Sequence, residues 1–211
     1  MKIWLIRHGA TEFNKERRYQ GQTDIPLSEE GRLQLTRSQE PADRVYVSHL
    51  RRTAQTARIL FPEAELIPVP GLAEMDFGTF EGRTHQEMDD DPDYQRGIDS
   101  GGYADIPGGE SRAVFSARIR RTLEELICQS AGNAEEKLVI VAHGGTVMAA
   151  MEWLMGQADR YYEWLPGNGE GYELEVTEDS MHKYLTEADC PHPECRILRK
   201  LEFHGLPPQD A

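Results

Sequence analysis

The chain has 211 residues, 38% of them hydrophobic and 28% charged, and a formal net charge of -14. That length supports one core of ordinary size and is short for two, so a single domain over residues 1–211 is expected. The negative charge excludes general nucleic-acid binding, which needs a basic surface to neutralise phosphates. No window reaches the roughly 18 apolar residues of a membrane helix, and MKIWLI runs into charged residues with no signal-peptide cleavage site. A soluble, cytoplasmic protein is therefore expected, and three cysteines, Cys128, Cys190 and Cys195, suit a reducing compartment better than a disulfide framework.

Charge is unevenly placed along the chain. Residues 1–60 hold 11 Lys and Arg against 7 Asp and Glu. An acidic protein that concentrates arginine in its first third is equipped to build a local anion pocket there.

In chain order, Lys2 to Ile6 reads as a buried strand ended by Gly9. Ser28, followed by two glutamates, offers an N-cap and an acidic first helical turn. Arg44 to Ser48 reads as a second strand and Arg51 to Leu60 as a helix before Pro62. The segment Asp89 to Gly109, rich in Asp, Gly and Pro, reads as a surface excursion, and 83–109 is expected to act as a lid or specificity element. A long helix beginning near Glu110 is predicted by the helical spacing of Phe115, Ile119, Leu123 and Leu126 and should end at Gly132. Leu138 to Ala142 is the clearest strand, followed by a helix after Gly145. Tyr172 to Thr177 and Arg196 to Phe203 are expected to extend the sheet, and 205–211 to fray. Strands followed by loops and helices imply an α/β fold, a three-layer α/β/α sandwich with a mostly parallel sheet and helices on both faces.

The chemically capable residues fall at strand ends. Arg7 and His8 follow the first strand, Ser48, Arg51 and Arg52 the second, and His143, Gly144 and Gly145 the third. In an open α/β sheet the crevice beyond the carboxyl ends of the strands is where ligands bind. A lone histidine at a strand end is more often structural, and it is the joint placement that points to a site. Arginine forks match phosphate oxygens bidentately. A neutral imidazole can attack phosphorus if its other ring nitrogen is anchored. Gly9 and Gly144 let backbone pass close to a bound phosphate. A proton donor for the leaving group is the missing part.

LIRHGATEFN resembles the Arg-His-Gly signature of the histidine phosphatase superfamily, also called the phosphoglycerate mutase-like family. RYQGQTDIPLSEEG, VYVSHLRRTAQTA, LAEMDFGTFEG, PGGES and VIVAHGGTV resemble successive family blocks, in family order, between about Lys2 and Met151. The resemblance implies the phosphoglycerate mutase-like fold, with His8 as the nucleophile that becomes phosphorylated and Arg7 and Arg52 as phosphate ligands. It makes His143 a contact to the transferring phosphoryl oxygens and Glu74 the acid that protonates the leaving oxygen. Asn14, Gln20 and Gly21 fall where the family lines the substrate side, Gly144 beside the phosphate, and Pro166 to Gly171 where backbone approaches it. Arg51 has no such match and is read as solvated.

The family implies a small phosphorylated metabolite as substrate, no cofactor and no metal. Only about thirty residues separate Glu74 from PGGES, which resembles the phosphatase branch rather than the mutases, whose insertion there is longer. Within that branch the first blocks resemble alpha-ribazole phosphatases, so alpha-ribazole 5'-phosphate is the named substrate expectation. The alternatives are a cofactor-dependent phosphoglycerate mutase and a catalytically silent phospho-ligand or protein-binding relative, which would have no need of the proton donor. The segment after Ser28 is shorter than the family's usual helix there. A homodimer is the default expectation for assembly. Cys190, His192 and Cys195 invite a zinc reading, with His182 a further ligand, but the spacing matches no common structural site and a Pro-rich loop is preferred. His49 and His85 neighbour motif blocks and are read as solvent-facing or supporting.

Overall fold

A computed structural model describes residues 1–133, 136–187 and 190–204. The first strand, β1 (Lys2–Arg7), shows why the sheet must be covered twice. Ile3 and Leu5 enter one apolar cluster while Trp4 and Ile6 enter another, as alternation along a pleated strand requires. All four are at most 2% exposed. The other strands and α-helices, short 3-10 turns aside, are α1 (Glu12–Lys15), α2 (Glu29–Leu33), β2 (Arg44–Val47), α3 (Arg51–Leu60), β3 (Glu65–Pro68) and α4 (Pro92–Asp99). They are followed by α5 (Arg112–Gly132), β4 (Lys137–Ala142), α6 (Gly144–Met155), β5 (Glu170–Val176), α7 (Glu178–Thr186) and β6 (Cys195–Glu202).

The six strands form one sheet in the order β3-β2-β4-β1-β5-β6. β1 pairs in parallel with β4, and β2 pairs in parallel with both β3 and β4; β5 runs antiparallel to β1 and β6 antiparallel to β5. Leu138, Ile140 and Ala142 of β4 join the cluster that α5 and α6 cover, and Val139 and Val141 join the one that α3 covers. The α/β/α sandwich with a mostly parallel sheet is thus present. Phe115 of α5 lies in the first of these cores with no exposed surface, and its ring would sit 3.3 Å from a Cβ at Gly145. Phe115→Ala is expected to lower stability by about 3–5 kcal/mol, measured by urea denaturation.

Several elements differ from the sequence reading. β1 is followed only by the one-turn α1 and the five-residue α2, so the chain spends this stretch on a pocket wall instead of a covering helix. α2 begins at its Ser28 cap, whose hydroxyl accepts from Gly31 N at 2.9 Å, and ends after five residues, in keeping with the short segment expected. The long helix starts at Arg112, capped by Ser111, two residues beyond Glu110. The excursion holds a helix, α4, because Asp91 caps it by accepting from Asp93 N at 3.1 Å and Pro92 opens its first turn. Tyr94 of α4 packs with Phe80 and Met88 in a small separate core. Strand β3 and helix α7 were not foreseen: β3 is an edge strand ending in proline, and α7 offers only Met181 as a buried residue.

Among the described residues no helix is long and apolar enough to cross a membrane. Nor is any group of three His, Cys, Asp or Glu side chains placed to hold a metal ion. The Cys190 and Cys195 thiols each face a backbone carbonyl, of His192 and Pro193, and burial pushes Cys195 up to about 12. The 205–211 tail lies outside the described residues.

Candidate active site

The carboxyl ends of β1, β4 and β2 converge on one cavity of about 650 Å³. Its inner wall includes Arg7, His8, Asn14, Gln20, Gly21, Arg52, Glu74, Gly144 and Gly145. Eight of the nine expected site residues therefore line it, and His143 is the exception.

His8 leaves β1 with its ring 4% exposed, and its Nδ1 lies 2.6 Å from the Gly9 carbonyl oxygen. A carbonyl can only accept, so Nδ1 carries the proton and Nε2 keeps its lone pair. Burial, with Arg52 and Arg7 nearby, holds the His8 pKa well below the ordinary histidine range. The ring is neutral at neutral pH. Gly9 N in turn donates to Thr56 Oγ1 at 3.0 Å, which fixes the carbonyl that orients the ring.

Arg7 donates through Nη1 to the Pro166 carbonyl at 2.8 Å, while its Nε is buried without a partner. An orphaned guanidinium N–H beside the imidazole is a ready donor for an anion, because leaving such a group unmet is costly. Arg52 has no exposed surface. Its Nη1 and Nη2 donate to the Thr23 and Gly21 carbonyls at 2.9 and 2.7 Å, leaving each nitrogen a second N–H. Its Nε lies 3.2 Å from His143 Nδ1 and 2.7 Å from the Gln20 amide oxygen when that amide nitrogen faces Thr11 Oγ1. Burial pushes Arg52 down to about 10, so it stays charged at neutral pH.

His143 lies behind the wall with no exposed surface, edge-on to His8 at 5.3 Å between ring centres. Its Nε2 meets Ser48 Oγ at 2.8 Å. Burial, then Arg52 and His8, holds its pKa well below the ordinary range. It backs His8 and Arg52; a direct contact to a phosphoryl oxygen would need its ring to leave these partners. Asn14 spends its Oδ1 on Thr11 N, Thr11 Oγ1 and Asn168 Nδ2, and its own Nδ2 has no partner among the described residues. Asn168, in the block predicted to bring backbone to the phosphate, also donates to the His8 carbonyl at 3.1 Å. Arg51 is not merely solvated: it pairs with Asp24 at 2.9 Å, outside the cavity. His49 is exposed, and His85 reaches Tyr94 Oη at 3.0 Å.

Glu74 enters from the opposite side, docked on the N-terminus of α6. Its Oε2 accepts from Gly145 N at 3.0 Å and its Oε1 from Met75 N at 2.9 Å. A Cβ at Gly145 would come within 2.2 Å of Oε1, so glycine is what lets the carboxyl reach the helix end. Burial raises the Glu74 pKa and outweighs both backbone hydrogen bonds and the two arginines, which pull it down.

Three supporting residues were not foreseen. Glu81 accepts from Gln22 N and Thr23 N, both at 2.7 Å, from Phe77 N at 3.2 Å and from the Thr23 hydroxyl. It thereby shapes the loop whose carbonyls hold Arg52. Arg118 donates to the Gly71, Ala73 and Glu74 carbonyls at 2.9, 3.0 and 3.2 Å and clamps the approach to Glu74. Arg112 pairs with Glu152 at 2.6 Å and stacks on Tyr161, 3.8 Å from the ring centre. Of these, only Glu81 carried a signal, since it lies in the same block as Glu74.

The outer cavity is broader than a phosphate needs and mostly apolar. Tyr19, Phe77, Phe80, Met148 and Tyr161 line it, and Tyr94, Ile98, Ala104 and Ile106 of the excursion complete it.

The sequence profile described as "Histidine phosphatase superfamily (branch 1)" matches residues 3–186. A probable phosphoglycerate mutase, GpmB, of Enterobacter sp. (strain 638) is 30% identical over 206 residues, spanning 86% of this chain and 94% of the relative. The adenosylcobalamin/alpha-ribazole phosphatase of Salmonella typhimurium is 33% identical over 157 residues, 70% of this chain and 76% of its own. The crystal structure of the alpha-ribazole phosphatase from Shigella flexneri superposes with a TM-score of 0.78 at 25% identity, covering 96% of both chains. With its profile match running through both the sheet and the cavity wall, the chain belongs to branch 1 of the histidine phosphatase superfamily.

Proposed function

We propose that this chain is a phosphomonoesterase that works through a phosphohistidine at His8. The observation that carries this reading is a neutral imidazole with Nδ1 anchored on a carbonyl, in one cavity with an arginine that has an unmet N–H and a carboxyl whose pKa burial raises. In the first step His8 Nε2 forms a bond to phosphorus as the ester P–O bond breaks, and the Glu74 proton passes to the departing alkoxide. Arg7 and Arg52 balance the charge on the equatorial oxygens of a loose transition state. In the second step Glu74, now ionised, takes a proton from water, whose oxygen attacks phosphorus and returns neutral His8 and inorganic phosphate. His143 holds Arg52 and His8 in register from behind.

The apolar outer cavity supports a substrate whose alcohol portion is large and partly aromatic. Alpha-ribazole 5'-phosphate, a phosphorylated ribose bearing an aromatic base, is such a molecule, and the names of the Salmonella and Shigella relatives favour it. Residues 83–109 serve in this reading as the cover that selects the alcohol, within a single domain. The test is phosphate release from a panel of phosphomonoesters without added metal, run beside a phosphoglycerate isomerisation assay. Release, fastest for alpha-ribazole 5'-phosphate, is the expected result. Isomerisation without release would replace this reading with that of a mutase, the name borne by the Enterobacter relative, and silence in both assays with that of a phospho-ligand binder.

Glu81 acts here only through the loop it shapes. Glu81→Gln puts an amide N–H against one of the donors it now meets, so Arg52 loses its fixed seat. A fall in kcat/KM of about 10–10²-fold is expected, with the melting temperature measured alongside to separate misplacement from unfolding.

A further inference from the structure

Five arginines line the cavity: Arg7, Arg17, Arg18, Arg52 and Arg112. Arg18 is paired with Glu16 and Glu87, and Arg112 with Glu152. Arg7 and Arg52 flank His8. Arg17 alone of these five is exposed and has no hydrogen bond or ion pair to its side chain among the described residues, in a chain with 37 carboxylates against 23 Lys and Arg.

Its backbone adds a second, independent observation. Arg17 is the one non-glycine described residue with positive φ, at 56°. It follows the C-cap of α1, with Arg17 N donating to the Asn14 carbonyl at 3.3 Å and Arg18 N to the Phe13 carbonyl at 2.9 Å. That pair of bonds closes a Schellman turn, in which glycine is the residue that fits this position with least strain. The turn is satisfied by backbone atoms alone, so nothing in its own geometry calls for an arginine. A guanidinium without a described partner, placed on a strained residue at a cavity wall, is available to meet a ligand.

We propose that Arg17 is a specificity residue that binds a second negatively charged group carried on the alcohol portion of the substrate, apart from the reacting phosphate. The proposal rests on the phosphatase reading above but extends it to a second kind of ester, since alpha-ribazole 5'-phosphate itself carries no anionic group beyond the reacting phosphate. A group bound away from the reacting atoms is held alike in ground and transition states, so its contribution belongs in KM more than in kcat.

The test compares phenyl phosphate with the three carboxyphenyl phosphates, using the wild-type protein, Arg17→Gly and Arg17→Lys. Glycine suits the turn, so Arg17→Gly is expected to melt at or above the wild-type temperature, and a folding defect does not confound the result. The wild-type protein should favour the best carboxyphenyl ester in kcat/KM. Arg17→Gly should lower that preference about tenfold, chiefly through KM, as befits a lost charge-assisted hydrogen bond. Arg17→Lys should keep most of it, and added salt should weaken it in the wild type. A wild-type protein without the preference, a preference unchanged in Arg17→Gly, or an equal loss on neutral and anionic esters would overturn the proposal. Failure of the wild-type protein to hydrolyse any of the four esters overturns the phosphatase reading itself, and this assignment with it.

Discussion

His8→Ala is expected to abolish turnover, with kcat reduced at least about 10⁴-fold, because the variant removes the atom that forms the covalent bond and leaves only binding and charge. The direct measurement is a reaction with substrate labelled in the phosphoryl group, quenched with alkali and detergent. The wild-type protein should carry base-stable, acid-labile label, and His8→Ala none. Full activity in the variant would sink the scheme. The result is interpretable because the ring it removes is neutral: burial, Arg52 and Arg7 already hold His8 unprotonated at neutral pH, so no buried counter-charge is orphaned.

The same depressed pKa sets the acid side of the pH profile. The free enzyme loses its nucleophile only when His8 takes up a proton, well below the ordinary histidine range, so kcat/KM should hold as pH falls through that ordinary range. Stability follows a different course. His8 and His143 both have folded pKa values below those of the unfolded chain. Below the ordinary histidine range the unfolded chain therefore binds more protons than the fold does. Their contribution is fully present above that range and is lost as pH falls toward the folded values.

What the sequence disclosed, and what it hid, follows from the range of each interaction. Strands β1 and β4 are buried on both faces, so LIR and LVIVA read as strands without any knowledge of their neighbours. Arg7 and His8 are adjacent in the chain and a strand end aims them together. Glu74 was legible only through the family blocks, since nothing in LAEMDFG tells that its carboxyl will meet Gly145 N, 71 residues away. Apart from the Phe77 amide beside Glu81, Glu81 and Arg118 act on backbone groups 44 to 59 residues distant, and backbone carbonyls and amides carry no side-chain pattern to read. Strand β3 was hidden by its shortness and its terminal proline, which an edge strand tolerates. Helix α4 was hidden by the Asp, Gly and Pro content that in fact supplies its cap. The place of His143 behind the wall could not be read either, because a residue after a strand end reaches the cavity or the layer beneath it according to the side chains packed around it.

Glu74→Gln should slow turnover by about 10²–10⁴-fold, and the pattern of the loss is more informative than its size. A proton donor matters most where the leaving oxygen is a strong base. The defect should therefore be largest for alkyl phosphates and shrink for 4-nitrophenyl phosphate, whose leaving group departs without a proton. With that ester the first step survives while the second has lost its base, so the variant should release a burst of nitrophenol close to one equivalent and then stall as phosphohistidine. The pH profile should change in step. Burial raises the Glu74 pKa, so in the wild-type protein kcat/KM falls as pH rises through that raised value and the acid ionises. The amide does not titrate, and the alkaline limb should vanish. Both Glu74 oxygens accept from backbone N–H groups, so the glutamine must turn its NH₂ toward Met75 N or Gly145 N. Glu74→Asp, which keeps the acid but withdraws it by one methylene, separates that misfit from the lost proton. It should retain the alkaline limb and show no burst. A Glu74→Gln loss that is uniform across leaving groups, with no burst and an unchanged alkaline limb, would remove Glu74 from the reaction and leave it a support for the N-terminus of α6.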